Sequence, residues 1–409
     1  MPNSKIIAVL ATLDTKGAEA EFLREQLSQL GSQALLLDIG VLGEPSCEAD
    51  ISREDIAKAG GSTLDELLKN PTREASTPVM IRGAIAILRA GLEAGELHGV
   101  LGMGGFQGTG VCSEVMRALP YGLPKVLLST AASGDVASYV DTKDITMMFS
   151  VGDILGLNRV TRQMLANAAG AVHGMASVSM DLAGDPSDKP LIGMTNLGVL
   201  TQGALHAVKR FEERGYEVIV FHAIGSGGRA MEEMMRAGII GAVFDYAMGD
   251  ISDDVFEELR AGGPTRLTVA GELGLPQVLC PGGSEHLGIL VPAHQVPERW
   301  AKSTHVFHSP VVFVPRLNTE EYCSVAAEIA KRLEHTRGRA VMMLPLDGTG
   351  SYAKPGGPLR DTESDAAFFN ALKQALPECI EVVERATHAE DPAFVEECVD
   401  RLIALIEEG

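Results

Sequence analysis

Val-Leu-Gly-Met-Gly-Gly-Phe-Gln-Gly-Thr-Gly, Val100 to Gly110, begins as an apolar run and breaks into five glycines in nine residues. Val100 and Leu101 are short-strand material, and apolar residues recur at helical spacing from Val111 to Leu119. The stretch therefore reads as strand, glycine turn and helix start. Glycine lets backbone amides approach a ligand closely, and a helix N-terminus adds unpaired N–H groups carrying roughly half a positive charge. Such a place suits phosphate. The run is neither a Walker A motif, because no Gly-Lys-Ser/Thr ends it, nor a GxGxxG, because Gln107 stands where the third glycine belongs. On the loop alone, a tight structural turn and a phosphate cradle both stay open.

The chain around it repeats the same grammar. Lys5 to Leu13 is a strand ending in Asp14-Thr15-Lys16-Gly17, a helix follows over Ala18 to Leu30, and Ala34 to Ile39 is a second strand. Gly40 to Thr77 is an irregular excursion with short helices at Ser52–Ala59 and Thr63–Lys69. A long helix from Pro78 to about Ala94 then feeds the glycine-loop strand. Lys125 to Ser129 is the next strand and breaks into Thr130 to Asp135; Ile145 to Phe149 follows, and a helix over Asn158 to His173 closes the first unit. In an open parallel sheet these loops share the carboxyl edge, where ligands bind. Thr12 to Lys16, Gly102 to Thr109 and Ser129 to Gly134 supply hydroxyls, amides and the Lys16 cation, a set suited to phosphate. Asp141, Lys143 and Asp144 read as exposed turn residues.

Asp181 to Pro190, rich in Asp, Pro, Ser and Gly, reads as a linker. Beyond it the alternation restarts, so the fold class is α/β, with two Rossmann-like parallel-sheet subdomains around a cleft, residues 1–183 and 190–409. In the second unit Pro190–Met194, Glu217–Phe221, Ile239–Phe244, Gln277–Cys280, Val311–Val314 and Ala340–Leu344 are strands. Gly225-Ser226-Gly227-Gly228 repeats the spacing of Gly102-Met103-Gly104-Gly105, and Thr195 takes the place of Thr12. Arg229 at a helix start adds a cation that suits a carboxylate or phosphate, while Met231, Met234 and Met235 are core fillers. Asp245 at a strand end, with Glu285 and His286 in the polar loop after Cys280, are the acid and base candidates of this half. Cys280 itself reads as a buried, inert thiol rather than a nucleophile based by His286. The histidines at 286, 294, 305 and 308 match no standard metal spacing, so no metal is expected there. Asp347 to Asp361, with Lys354 and Arg360, reads either as a lid or as a mobile excursion.

Composition narrows the classes. The 409 residues are 45 % hydrophobic and 22 % charged, ordinary for a chain that buries a large core. No apolar run approaches the roughly 20 residues of a membrane span, and the opening MPNSKIIAVLATLD reads as a strand rather than a signal peptide, so a cytoplasmic protein is expected. Six scattered cysteines without a CxxC pair suggest reduced thiols. A net charge of −21 and no run of Lys or Arg speak against nucleic acid or anionic membrane as a partner. A small anion remains compatible, because screening over about 8 Å lets a local amide nest outweigh distant carboxylates.

Taken together, LATLDTKG (Leu10 to Gly17), LGMGGFQGTG (Leu101 to Gly110), STAASGD (Ser129 to Asp135), FHAIGSGGRAME (Phe221 to Glu232) and the DGTGSYAKPGG loop from Asp347 resemble one family, over some 340 residues. It is that of the ATP-binding domain of the tomato mosaic virus resistance protein and its uncharacterised bacterial relatives. The resemblance implies two Rossmann-like subdomains, ATP held by one of them, and a homodimer or higher homo-oligomer. Carried onto this chain, it implies nucleotide contacts from Thr12, Asp14, Lys16, Gly104, Gly105, Gln107, Gly108, Thr109, Ser129, Thr130 and Gly134. Three functions stay open. One is ATP, with or without Mg2+, acting on a small anionic metabolite by phosphoryl transfer or ligation, with Lys16 and Arg229 neutralising charge. The second is a non-catalytic nucleotide-sensing or interaction protein. The third is a hydrolase or lyase of a small acid built on Asp245, Glu285 and His286, without nucleotide chemistry.

Overall fold

A computed structural model describes residues 4–178 and 189–408, so the linker expected at Asp181–Pro190 lies, apart from Lys189 and Pro190, outside the described residues. The chain divides into two compact units, Met1–Leu182 and Ala183–Gly409.

The first unit has five parallel strands: β1 (Ile6–Ala11), β2 (Gln33–Asp38), β3 (Gly99–Gly104), β4 (Lys125–Ser129) and β5 (Thr146–Phe149), in the spatial order β2-β1-β3-β4-β5. Strands buried on both faces need apolar residues at every position, and IIAVLA of β1 supplies them. Successive side chains go to opposite faces. Ile7, Val9 and Ala11 pack with Leu23 and Leu165 on one side, Ala8 and Leu10 with Met80 and Val115 on the other. From β1 the chain winds to β2 on one side, then returns to build β3, β4 and β5 on the other. The direction therefore reverses between β1 and β3, which opens a crevice at their carboxyl ends.

The second unit repeats this winding with one strand more. β6 (Leu191–Asn196), β7 (Val218–His222), β8 (Ile240–Ala247), β9 (Gln277–Gly282), β13 (Ala340–Pro345) and β14 (Ile380–Arg385) are parallel in the order β14-β13-β9-β8-β6-β7. A separate antiparallel sheet, β10 (Ile289–Leu290), β11 (His305–Ser309) and β12 (Val312–Pro315), runs β10-β12-β11.

Three local expectations are corrected. The long helix starts at Arg73, not Pro78, because the Thr72 side chain accepts from Ala75 N and caps it there. Pro78 is carried inside it, and only the carbonyl of Glu74 loses an intrahelical partner. Second, Gly102–Gly105 lie at the end of the third strand of their unit, whose counterpart is β8 with Ala247–Asp250 at its end, whereas Gly225–Gly228, which repeat their spacing, follow the second strand, β7. Third, the Asp347–Asp361 segment is neither lid nor loose excursion. Ser351 N donates to Val199 O at 2.9 Å, Thr349 Oγ1 to Glu285 Oε2 at 2.7 Å, Arg360 binds the carbonyls of Asp347 and Ala353, and Thr349, Ala353 and Leu359 are buried.

Candidate functional site

At the β1/β3 switch of the first unit lies a cavity of about 520 Å³. Thr12, Asp14, Lys16, Gly104, Gly105, Gln107 and Gly108 line it. The glycine loop is shaped by close packing. A Cβ on Gly104 would sit 2.8 Å from the Gly108 Cα, so only glycine lets strand and helix turn this tightly. Gly105 is extended (φ −77°, ψ −163°) and the helix Phe106–Arg117 begins at once, with no side chain capping it. Its first-turn amides therefore remain available beside the cavity.

The rest of the wall comes from segments in which the sequence carries no motif. Ile39, Gly40, Val41 and Leu42 follow β2, and Arg73, Ser76, Thr77 and Met80 come from the long helix. The loop after β2 is held by Asp38, whose Oδ1 accepts from Leu13 N (3.1 Å) and Gly40 N (3.0 Å) and whose Oδ2 binds Arg53 at 2.7 Å. Arg53 in turn donates to the carbonyls of Leu42 and Gly43. This buried pair fixes the loops after β1 and β2 relative to each other. Lys16 stands in the wall with its ammonium donating to the Ile154 carbonyl.

The remaining expected contacts sit elsewhere. Thr109 and Ser129 are fully buried, their hydroxyls 2.6 Å apart beneath the glycine loop, so they brace it rather than line the cavity. Gly134 closes a turn through its N–H to Ala131 O. Thr130 lines a second hollow, of about 390 Å³, on the far side of Gly105 and Phe106.

In the second unit Asp245, Glu285 and His286 are buried and already engaged. Asp245 and Asp250 share one fully buried Arg266, at 2.5 and 2.8 Å, and Thr195 Oγ1 donates to Asp245 Oδ1 at 2.8 Å. Gly228 is a glycine for this reason: a Cβ would lie 2.6 Å from Arg266 Nε. Glu285 and His286 form a second network. Glu285 Oε1 lies 2.9 Å from His286 Nδ1, Oε2 accepts from Thr349, and His286 Nε2 lies 3.4 Å from Arg260, which is paired with Asp253. Burial alone would raise the Glu285 carboxyl, but His286, Arg316 and Thr349 hold it down to about 2. Arg229 is exposed at the first turn of the helix Ser226–Arg236. Burial pushes the Cys280 thiol well up, away from the reactive thiolate. Among the described residues no group of three His, Cys, Asp or Glu is placed to hold a metal, and no helix is long and apolar enough to cross a membrane.

Glu232 behaves differently. Burial pushes its carboxyl up to about 7, although Arg266 nearby and bonds from Leu267 N and Thr265 Oγ1 oppose this. An unfolded glutamate titrates near 4.5. Between these values the folded state holds the proton and the unfolded state does not, so this group's contribution is full below about 4.5 and is lost as pH rises through about 7. Glu232→Gln removes that loss. Its urea midpoint relative to the parent is therefore expected to rise between pH 5 and pH 8; a pH-independent difference would refute the buried-acid reading.

The comparisons cover the chain almost completely. Residues 5–181 match the model of the uncharacterised protein family UPF0261 N-terminal domain, and residues 189–406 that of its C-terminal domain. A UPF0261 protein of Clostridium tetani is 37 % identical over 407 residues, 99 % of this chain and 100 % of the relative. One from Rhizobium meliloti is 34 % identical over 397 residues, 97 % of this chain and 98 % of the relative. The ToMV resistance protein Tm-1(GCR237) of Solanum lycopersicum is 34 % identical over 340 residues, covering 80 % of this chain and 45 % of that longer protein. With both halves matched in order and full-length relatives above 30 % identity, the chain belongs to the UPF0261 family.

Proposed function

We propose that the first unit binds ATP or a closely related nucleotide in the β1/β3 cavity. The observation that carries this reading is the uncapped start of the helix Phe106–Arg117 in the wall of a cavity of about 520 Å³ that also carries the apolar Ile39, Val41, Leu42 and Met80. Phosphates fit the amides of Phe106 to Gly108 with Lys16 and Arg73 as cations, and a base fits against Ile39, Val41 and Met80. The resemblance to the ATP-binding domain family supports the same assignment. Mg2+ would travel with the phosphates, and Asp14 is the carboxylate in the wall to meet it.

Of the chemical readings, phosphoryl transfer or ligation on a small anionic metabolite is compatible with this arrangement. The burial and saturation of Asp245, Glu285 and His286 specifically favours the non-catalytic reading for the second unit, in which nucleotide occupancy is sensed rather than consumed. The hydrolase or lyase reading draws no support from residues so placed. Self-association into a homodimer or higher homo-oligomer, and a cytoplasmic setting, belong to the same proposal.

A direct test is a methyl spectrum of the full chain labelled at methionine. Met80 and Met103 line the cavity, whereas Met231 and Met343 are buried in the second unit. ATP is expected to shift Met80 and Met103 saturably and leave Met231 and Met343 in place. Shifts confined to second-unit methyls would overturn the assignment.

A further inference from the structure

The second hollow carries a site of its own. It lies beyond the ends of β4 and β5 and is lined by Thr130, Ser133, Phe149, Val151 and Asp153, sharing Gly105 and Phe106 with the first cavity. Three large apolar side chains there face solvent: Phe106 is 74 % exposed, Val151 64 % and Phe149 41 %. Single exposed apolar residues are ordinary, but three around one concavity mark a surface that is covered in use.

The backbone is strained at Val151. Gly152 N donates to Ser150 O at 2.7 Å across a three-residue turn, and the central residue, Val151, has φ +64°. A β-branched residue in the left-handed region is a rare and costly conformation, held only when its surroundings over-determine it, and such strain gathers at ligand sites. Here Ser150 Oγ donates to Gly152 O at 2.7 Å and Ser150 N to Ser129 O at 3.1 Å, which ties the turn to β4.

The polar groups of the hollow set its chemistry. Asp153 is its one carboxylate, exposed beside the hydroxyls of Thr130 and Ser133, and no cationic side chain lines it. A carboxylate only accepts hydrogen bonds, so it favours a ligand group that donates, an amine or a hydroxyl, and disfavours an anion. Phe106 and Phe149 offer ring surface for a flat or apolar body, and an ammonium near such rings gains further. We infer that this hollow is a binding subsite for a small molecule with an apolar or aromatic body and one amine or hydroxyl group, distinct from the nucleotide cavity but separated from it only by Gly105 and Phe106. Its occupancy does not depend on what fills the first cavity. If that cavity takes a nucleotide, the molecule here is its neighbour across the glycine loop.

The test uses benzylamine and benzoate, equal in ring and opposite in charge, with saturation-transfer NMR on the full chain. Benzylamine is expected to receive saturation that titrates to a plateau in the millimolar range. Asp153→Asn and Phe149→Ala are each expected to reduce it at least fivefold, and benzoate to receive little. Both substituted residues are exposed, so the fold is retained, and ATP titrations of the two variants report on the first cavity separately. Benzylamine transfer that is absent, unaltered in both variants or matched by benzoate overturns the inference. So does loss of self-association in Phe149→Ala without any benzylamine binding, which would assign the apolar rim to a protein contact.

Discussion

Gly105→Glu is expected to weaken ATP binding at least about a hundredfold, about 2.7 kcal/mol, while the chain stays folded. The position separates ligand from fold because Gly105 is extended at φ −77°, which any residue adopts, and a Cβ there would meet only Thr130 Oγ1, at 3.7 Å. From the N-cap position the added carboxylate competes with a phosphate for the first-turn amides of the helix Phe106–Arg117 and repels it. Gly105→Ala, which adds only the tolerated Cβ, costs less than about tenfold by the same reasoning. Gly104→Ala gives the opposite pattern. Its Cβ would press on the Gly108 backbone at 2.8 Å, so stability falls by roughly 1–3 kcal/mol and binding falls with it. Calorimetric titration beside urea unfolding of the three variants separates these outcomes. Equal binding by Gly105→Glu and the parent would remove the glycine loop from the site.

Arg266→Leu is expected to destabilise the second unit by about 3–5 kcal/mol without altering ATP binding by the first. The side chain is fully buried between Asp245 and Asp250, and its loss leaves two carboxylates uncompensated away from water. The cost lies in the unpaired charges rather than in the lost contact. Arg266→Leu combined with Asp245→Asn and Asp250→Asn therefore recovers most of the stability. Urea unfolding followed through Trp300, the chain's one tryptophan and buried in the second unit, reads the change. A loss below about 1 kcal/mol in the single variant would mean that the carboxylates find other partners or take up protons.

The parallel sheets were legible because their strands are short continuous apolar runs broken by glycine, as at Val100 to Gly110, and because helices alternate with them. Half of the candidate nucleotide cavity was legible for the same reason, since Thr12 to Lys16 and Gly104 to Gly108 stand at strand ends. The other half came from Ile39–Leu42 and Arg73–Met80, which meet only through tertiary packing. Asp38 and Arg53 lie 15 residues apart with no periodicity to mark a pair, yet they fix the cavity's loops. In the second unit the reading of polar loops as open sites met burial that composition does not reveal. Gly228 makes room for an arginine, and PGGSEHLG, polar in composition, is buried from Pro281 to Gly288. A carboxylate beside glycine has the same appearance in sequence whether it faces a substrate or a buried guanidinium.

A nucleotide held at the β1/β3 switch would be read out by calorimetric titration of the full chain with ATP, with and without Mg2+, beside Gly105→Glu. Saturable binding by the parent chain and its loss in the variant are expected. No heat of binding at millimolar ATP under either condition would contradict it and leave the cavity to a ligand of another class.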